Sequence, residues 1–318
     1  MDQPDVLIDV VIPTVDRNEL LVGAVQGALR QEVPFAEVRI IVVDNSAAGS
    51  QCAIVQPLAP APDGRVELRC VHEPRPGLAY ARNKGIAASE GDFVVFLDDD
   101  ENPLTRDWLA RLVSAAIEEK ADAAFGPVVA QFETPPQHYA DFVTNLYSRD
   151  TGRVYGADVT KLVATLGTGN SCFRRATCFG QADEPFDHRF DKTGGEDIDL
   201  LHRLHDRGRR FVWAAGAAVG EFVPRARLER GYLSDRRFRQ GQQRSYLQIA
   251  AAPRRYDALL FWMAVGAAQT LYHASAGSIA RLFGRDDTAE RHAIQYWGGV
   301  GKVLWQARHR EEHYGVRN

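Results

Sequence analysis

The chain has 318 residues, 45% of them hydrophobic and 25% charged, with a net charge of −4; that is ordinary for a globular protein, and long enough for one large α/β domain with an appendage or two small domains. The charge is divided, with −14 on residues 1–202 and +10 on residues 203–318, which points to an acidic body beside a basic surface that meets phosphates or anionic lipid. A pI of about 6.2 argues against a nucleic-acid binder.

Val6 to Ile12 reads as a buried strand interrupted only by Asp9 and closed by Pro13-Thr14. Leu20, Leu21, Ala24, Val25, Ala28 and Leu29 then fall on one helical stripe, and Val38 to Val43 is a second buried strand ending in Asp44-Asn45-Ser46. Together they form a βαβ unit. Ala47 to Gly64 is a helix or loop, Val66 to Val71 a third strand, and Gly77 opens a helix to about Ser89. Phe93 to Leu97 is a strand buried on both faces, which runs straight into Asp98-Asp99-Asp100-Glu101. A helix from about Thr105 to Glu119 and a strand from Ala123 to Val129 follow. Strands alternating with helical crossovers predict a parallel, doubly wound sheet over roughly residues 5–130.

From Glu133 to Asp158 the pattern dissolves into what reads as a mobile connection. Gly167–Phe173 and Phe211–Ala215 are short strand candidates, separated by a helix from about Glu196 to Asp206. The last third is basic, with thirteen arginines between Arg203 and Arg255. Tyr256 to Tyr272 is apolar nearly all round but short for a membrane span, so an interfacial or buried helix is expected; Ile294 to Ala307 reads as a further amphipathic helix. Cys52, Cys70, Cys172 and Cys178 lack metal-ligand spacing and read as buried thiols in a reducing compartment. The N-terminal residues carry no signal-peptide profile, so a cytoplasmic protein is expected.

The carboxylate cluster carries the chemistry. Burying it uncompensated costs several kcal/mol, so it either splays into water or holds a divalent cation. Ligands bind outside the carboxyl ends of strands in an open parallel sheet, and Asp-x-Asp aims its first and third side chains to one side. Hard oxygens in that arrangement suit Mg²⁺ or Mn²⁺, with a substrate diphosphate completing the shell. The alternative is a solvated acidic turn that caps the following helix.

Asp44 at one strand end, Asp98–Asp100 at another, and Gly194-Gly195-Glu196-Asp197 opening a helix come in an order and spacing that resemble the family 2 inverting glycosyltransferases of GT-A fold. The resemblance covers roughly residues 7–245. Phe96–Glu101, Gly194–Asp197 and Arg236-Arg237-Phe238-Arg239-Gln240-Gly241-Gln242 resemble the branch that builds bacterial exopolysaccharide, such as succinoglycan β-glucosyltransferases. It implies a GT-A domain over residues 1–245, with a nucleotide half to about 130 and an acceptor half from 131, and a helical C-terminal extension over 246–318.

By that resemblance Pro13, Thr14 and Asp44 line the nucleotide pocket, with Asp44 accepting from the uracil N–H; the other reading of Asp44 is an Asx-turn. Arg82 and Asn83 face ribose or diphosphate, Asp98 touches ribose with Asp99 beside it, and Asp100 ligates Mn²⁺ or Mg²⁺. Asp197, assisted by Glu196, takes the proton of the acceptor hydroxyl; acids at a helix N-terminus also favour the helix dipole. Thr168-Gly169-Asn170 shapes a sugar or acceptor pocket, or is a plain turn. Arg236, Arg237 and Arg239 clamp a diphosphate, or form a solvated helix face. Where relatives often have a metal-ligating His, this chain has Gly220-Glu221: either Glu221 substitutes as a third ligand alongside Asp98 and Asp100, or the metal relies on Asp100 and phosphates alone. The implied reaction moves a sugar, glucose from UDP-glucose, onto a polyprenyl-diphosphate-linked saccharide at the inner face of the plasma membrane, with peripheral membrane contact and no nucleic acid. The alternatives are another donor (UDP-galactose, dTDP-rhamnose or GDP-mannose) serving lipopolysaccharide or protein glycosylation, and a non-catalytic nucleotide-sugar-binding subunit.

Overall fold

A computed structural model describes residues 6–59, 66–180, 184–191, 194–251 and 253–306. The expected ends of two segments, at Gly64 and Ala307, lie outside these residues. The chain forms two compact units, one of residues 1–131, 148–191 and 196–222, the other of 132–147, 192–195 and 223–318.

In the first unit the elements run β1 (Val6–Thr14), α1 (Asn18–Leu29), β2 (Ala36–Asp44), α2 (Ser50–Val55), β3 (Val66–His72), α3 (Leu78–Ala88), β4 (Phe93–Phe96), β5 (Glu101–Pro103) and α4 (Trp108–Glu118). They are followed by β6 (Ala123–Phe125) and β7 (Val128–Phe132). After α5 (Ala140–Tyr147), which belongs to the second unit, come β8 (Ser171–Arg174), the single turn α6 (Arg175–Cys178), α7 (Glu196–Asp206), β9 (Phe211–Trp213) and β10 (Val219–Val223). The main sheet has the order β3-β2-β1-β4-β8-β6-β9; β5, β10 and β7 make a smaller sheet. The β1–β4 core is parallel as expected, whereas β8 is antiparallel to both neighbours.

Alternation along the strands sends side chains to opposite faces. Val10, Ile40, Phe93 and Val95 pack with Leu21, Val25, Leu109 and Leu112 from α1 and α4. Val11, Ile41, Val94 and Phe96 pack with Ile86, Leu200 and Leu204 from α3 and α7. Asp9, the one charge in β1, is fully buried and compensated: Arg39 donates to both its oxygens at 2.7 and 2.9 Å, and the amides of Glu90 and Gly91 add two more hydrogen bonds. The strand expected over Ala123–Val129 is split at Gly126-Pro127 into β6 and β7, which join different sheets.

The expectation of four free thiols needs correcting. Cys52, on α2, is bonded to Cys70, on β3, which runs beside β2; Cys172 and Cys178 are free and buried.

The second unit contains α5 and three long helices, α8 (Arg230–Ala250), α9 (Tyr256–Leu282) and α10 (Asp286–Val303). Glycines let their backbones meet: a Cβ on Gly301 of α10 would sit only 2.1 Å from the carbonyl oxygen of Phe238 on α8. The segment expected to be unstructured after Glu133 contains α5. The apolar stretch expected to end at Tyr272 continues ten residues further, and its outer face exposes Leu260, Phe261, Leu271, Tyr272, Ile279 and Leu282. Among the described residues no helix is long and apolar enough to cross a membrane.

Candidate active site

The carboxyl ends of β1, β2 and β4 and the first turn of α7 carry most of the residues singled out from the sequence. Thr14 ends β1 and donates through Oγ1 to Asp99 Oδ2 at 2.9 Å. Arg17, in the loop after β1, donates through Nη1 to Asp99 Oδ1 at 2.9 Å and Asp100 Oδ2 at 3.0 Å. Arg82, inside α3, links the two acidic motifs: Nη1 reaches Glu196 Oε1 at 2.5 Å and Nη2 reaches Asp98 Oδ1 at 3.3 Å. Both Arg82 and Glu196 are 3% exposed, and the second oxygen of Glu196 is buried without a hydrogen-bond partner. Burial pushes the Glu196 carboxyl above its ordinary range, and Arg82 opposes that push.

Thr168 and Gly169 run directly beneath the cluster. A Cβ on Gly169 would come within 2.8 Å of both Asp98 Oδ2 and Glu101 Oε1, so only glycine lets the carboxylates lie this close to the chain. A Cβ on Gly167 would lie 2.9 Å from Arg149 Nη1 and 3.4 Å from Asp197 Oδ2, which places guanidinium and carboxylate on the same stretch of backbone. Arg149 also donates to the carbonyl of Gly169, and its buried guanidinium faces the charges of Glu101, Asp98, Asp197 and Glu221. Burial draws that guanidinium below its usual value despite these carboxylates.

Asn170 fixes this floor. Its backbone is left-handed, with φ of 50°; its Oδ1 accepts from Trp108 Nε1 at 2.8 Å, and its Nδ2 donates to the carbonyls of Pro127 and Ala217 at 2.7 and 2.8 Å.

The acidic cluster is an all-oxygen donor set. Burial drives Glu101 well above the carboxylate range, followed by repulsion from Asp98, with Glu221 adding to it; β5 and β10 set Glu221 directly opposite Glu101. Asp99 is pushed up to about 6, chiefly by burial, against the pull of Arg17. Hard, mutually repelling oxygens at the open end of a sheet fit a divalent cation. Among the described residues, however, no three acidic, His or Cys side chains gather as a complete protein-only cage, so Asp98, Asp100 and Glu221 do not surround a point by themselves.

Other residues take local structural tasks. Asp44, for which the sequence offers a base-edge contact or an Asx-turn, is fully buried and bonds its own loop: Oδ1 accepts from the amide and hydroxyl of Ser46 at 2.9 and 2.6 Å, and Oδ2 from the amides of Gln51 and Cys52 at 2.7 and 3.2 Å. The Asx-turn reading describes this geometry. Asn83 exchanges two hydrogen bonds with the backbone of Phe186 and so pins the loop before α7. Pro13 is buried beside Val43 in the β1–β2 ladder. Asp197 is half-buried in the first turn of α7, its Oδ1 accepting from the Ile198 amide at 2.7 Å. Arg236 and Arg239 belong to the second unit, where they lie over the rings of Tyr147 and Tyr232 at 4.5 and 5.7 Å. Arg17 and Arg149 were not singled out from the sequence; only the position of Arg17 three residues past a strand end hinted at a site residue.

The family profile described as Glycosyl transferase family 2 matches residues 9–176. A succinoglycan biosynthesis protein, ExoM, from Rhizobium meliloti (strain 1021) is 34% identical over 241 residues, which cover 74% of this chain and 73% of the relative. The chain is a family 2 glycosyltransferase. Glycosyltransferase AglE of Haloferax volcanii is 26% identical over 264 residues, covering 81% of this family member and 80% of AglE. Among solved structures, the mannosyltransferase PcManGT from Pyrobaculum calidifontis, in complex with GDP-Man and Mn²⁺, superposes with a TM-score of 0.59 at 19% identity over 96% of this chain and 89% of its own. TarS residues 1–349 from S. aureus, in complex with UDP-GlcNAc, does so with a TM-score of 0.51 at 14% identity and 92% of each chain. These likenesses establish the GT-A fold, with α8–α10 as its helical C-terminal region.

Proposed function

We propose that this glycosyltransferase transfers glucose from UDP-glucose, with inversion, onto a polyprenyl-diphosphate-linked saccharide during exopolysaccharide assembly. The observation that carries this reading is the Arg82 bridge, which holds the Asp98 end of the donor-side carboxylates and the α7 turn bearing Asp197 at one place. An inverting displacement at an anomeric carbon needs a base on the acceptor side and charge stabilisation on the leaving side. Asp197, half-buried and directed toward the Gly167 backbone, takes the proton of the acceptor hydroxyl. Glu196, locked to Arg82, orients that turn. Arg149 holds the Gly169 floor and offers positive charge toward the donor.

Asp100 and Asp98 are the residues that would hold Mn²⁺ or Mg²⁺, with Glu221 near the cluster and the donor's phosphate oxygens needed to complete the shell. Bound there, the cation would supply charge neutralisation for the departing nucleoside diphosphate. The Mn²⁺ and GDP-Man of the Pyrobaculum enzyme support this donor-side arrangement.

The relative that builds succinoglycan supports an exopolysaccharide acceptor. The exposed apolar face of α9, with Arg254 and Arg255 before it and Arg281 and Arg285 at its far end, supports contact with an anionic membrane at its cytoplasmic side. Replacing Leu260 and Leu271 by Glu should release the protein from anionic vesicles in a flotation assay; unchanged flotation refutes that contact.

Calorimetric titration of UDP with and without Mn²⁺, on wild type, Asp100→Ala and Asp197→Asn, tests the core of the reading. The expected result is Mn²⁺-enhanced UDP binding, lost in Asp100→Ala, and intact binding without turnover in Asp197→Asn. A nucleotide-binding subunit without catalysis would lose nothing in Asp197→Asn. Failure with UDP but binding of GDP or dTDP replaces the donor, the GDP-Man and UDP-GlcNAc complexes of fold neighbours showing that the fold takes both nucleotides.

A further inference from the structure

We infer that the helical unit contains an anion site, formed by Arg237 and Arg244 of α8 with Lys302 of α10, that takes a phosphate or diphosphate group. Arg237 and Arg244 are two helical turns apart and share a face of α8, away from the face that carries Arg236 and Arg239. The sequence suggested one clamp of three neighbouring arginines; the helix separates them, and Arg237 is grouped instead with cations distant in sequence. Gly298 is the meeting point. Lys302 Nζ donates to its carbonyl at 3.1 Å, while a Cβ on it would lie 3.6 Å from both Nε and Nη2 of Arg237.

The partners of all three cations are neutral. Arg237 Nη1 donates to Gln240 Oε1 at 2.9 Å, Lys302 Nζ to Gln269 Oε1 at 2.9 Å, and the Arg244 guanidinium lies 5.2 Å over the ring of Trp262. Among the described residues none of the three pairs with a carboxylate, and Arg237 Nε is buried with no acceptor at all. By contrast, the buried guanidinium groups of Arg39 and Arg82 are matched to carboxylates, Asp9 and Glu196. Burial lowers all three from their usual values; the two arginines lower Lys302 further, to about 8. Cations that repel one another in a half-dry place destabilise the fold unless an anion joins them. Two planar forks and an ammonium match the tetrahedral oxyanions of a phosphate, and three positive charges match a diphosphate. Arg237 and Arg244 are half-buried rather than sealed, which leaves a way in.

That the anion is the diphosphate of a lipid-linked acceptor rests on the function proposed above; that a phosphate group binds here does not. Inorganic pyrophosphate titrated into the full chain in EDTA tests the site alone, because without a cation the acidic centre repels it. The expected result is one pyrophosphate per chain, weakened about tenfold or more by Arg244→Gln and by Lys302→Met and unchanged by Asp100→Ala. In the unsubstituted protein, pyrophosphate should also slow acetylation of Lys302, followed by mass spectrometry, relative to Lys84 and Lys161. No binding to the unsubstituted protein, no protection of Lys302, or equal affinity in Arg244→Gln overturns the site. Phosphatidylcholine vesicles with and without farnesyl diphosphate separate the sources. Retention only on diphosphate-bearing vesicles, lost in Arg244→Gln, assigns a lipid headgroup; pyrophosphate binding without such retention assigns a free phosphate compound.

Discussion

Replacing Arg82 by Met removes the guanidinium that joins the two acidic motifs while keeping much of its bulk. Its two limbs differ in weight. Asp98 is 34% exposed on its side chain and 3.3 Å away, so water screens most of that contact. Glu196 is dry and 2.5 Å away, and stranding its charge costs about 3–5 kcal/mol. Protonation offers Glu196 an escape, at about 1.4 kcal/mol for each pH unit above its ordinary value of 4.5. The loss in stability therefore has a ceiling of about 1.4 kcal/mol near pH 5.5 and about 5 kcal/mol near pH 8. Burial already raises Glu196 in the unsubstituted protein, so measured values will fall somewhat below both ceilings. The direction is fixed: a carboxyl raised in the folded state leaves stability intact at low pH and removes it as pH climbs through the raised value. Urea denaturation followed by tryptophan fluorescence at the two pH values, with Trp108 and Trp213 both buried in this unit, reads the difference. A loss equal at both pH values, or below about 0.5 kcal/mol at the higher one, refutes a dry ion pair at the heart of the site.

Gly169→Ala should drive a methyl between Asp98 and Glu101, cost about 1–3 kcal/mol and abolish Mn²⁺-dependent UDP binding; calorimetry and thermal melting check both effects. Arg39→Met leaves Asp9 buried with amides alone and should lower stability by about 3 kcal/mol without changing KM, measured by urea denaturation and steady-state assay. Reduction of the Cys52–Cys70 bond, which spans 18 positions, should cost about 3 kcal/mol; in the denatured, unreduced chain two thiols, Cys172 and Cys178, should titrate, and four after reduction.

What was legible in the sequence depended on whether the cause was local. The run Phe93–Leu97 announces a doubly buried strand because nothing else places five apolar residues directly before four acids. The start of α7 at Glu196 was equally legible, since two glycines break the chain and acids fill the first turn. The Arg82 bridge, by contrast, exists only because α3 and α7 flank the same face of the sheet, and Arg149 sits in a stretch without periodicity whose meaning comes from the carboxylates opposite it. Asp44 has partners the sequence does not announce, because the amides that open α2 donate to its carboxylate. The disulfide was hidden for the same reason as Arg149, because β3 brings Cys70 to α2 from a distance in the chain. The extent of α9 is not legible in the sequence because Ala, Ser and Gly between Ala274 and Ser278 dilute its apolar pattern.

Asn170 has a consequence for how this enzyme can be re-engineered. Its one acceptor and two donors serve Trp108 and the carbonyls of Pro127 and Ala217, while Gly167 and Gly169 just before it lie against the acidic cluster. An Asp there would lose both donors, and a Ser could not span the three partners. The strip 167–170 is therefore not a free module that can be exchanged to retune sugar choice. A graft taken from a relative has to bring its own counterparts of Trp108 and of the 126–128 and 216–218 corners. Those four segments should therefore be exchanged together, as a linked set, in a laboratory library.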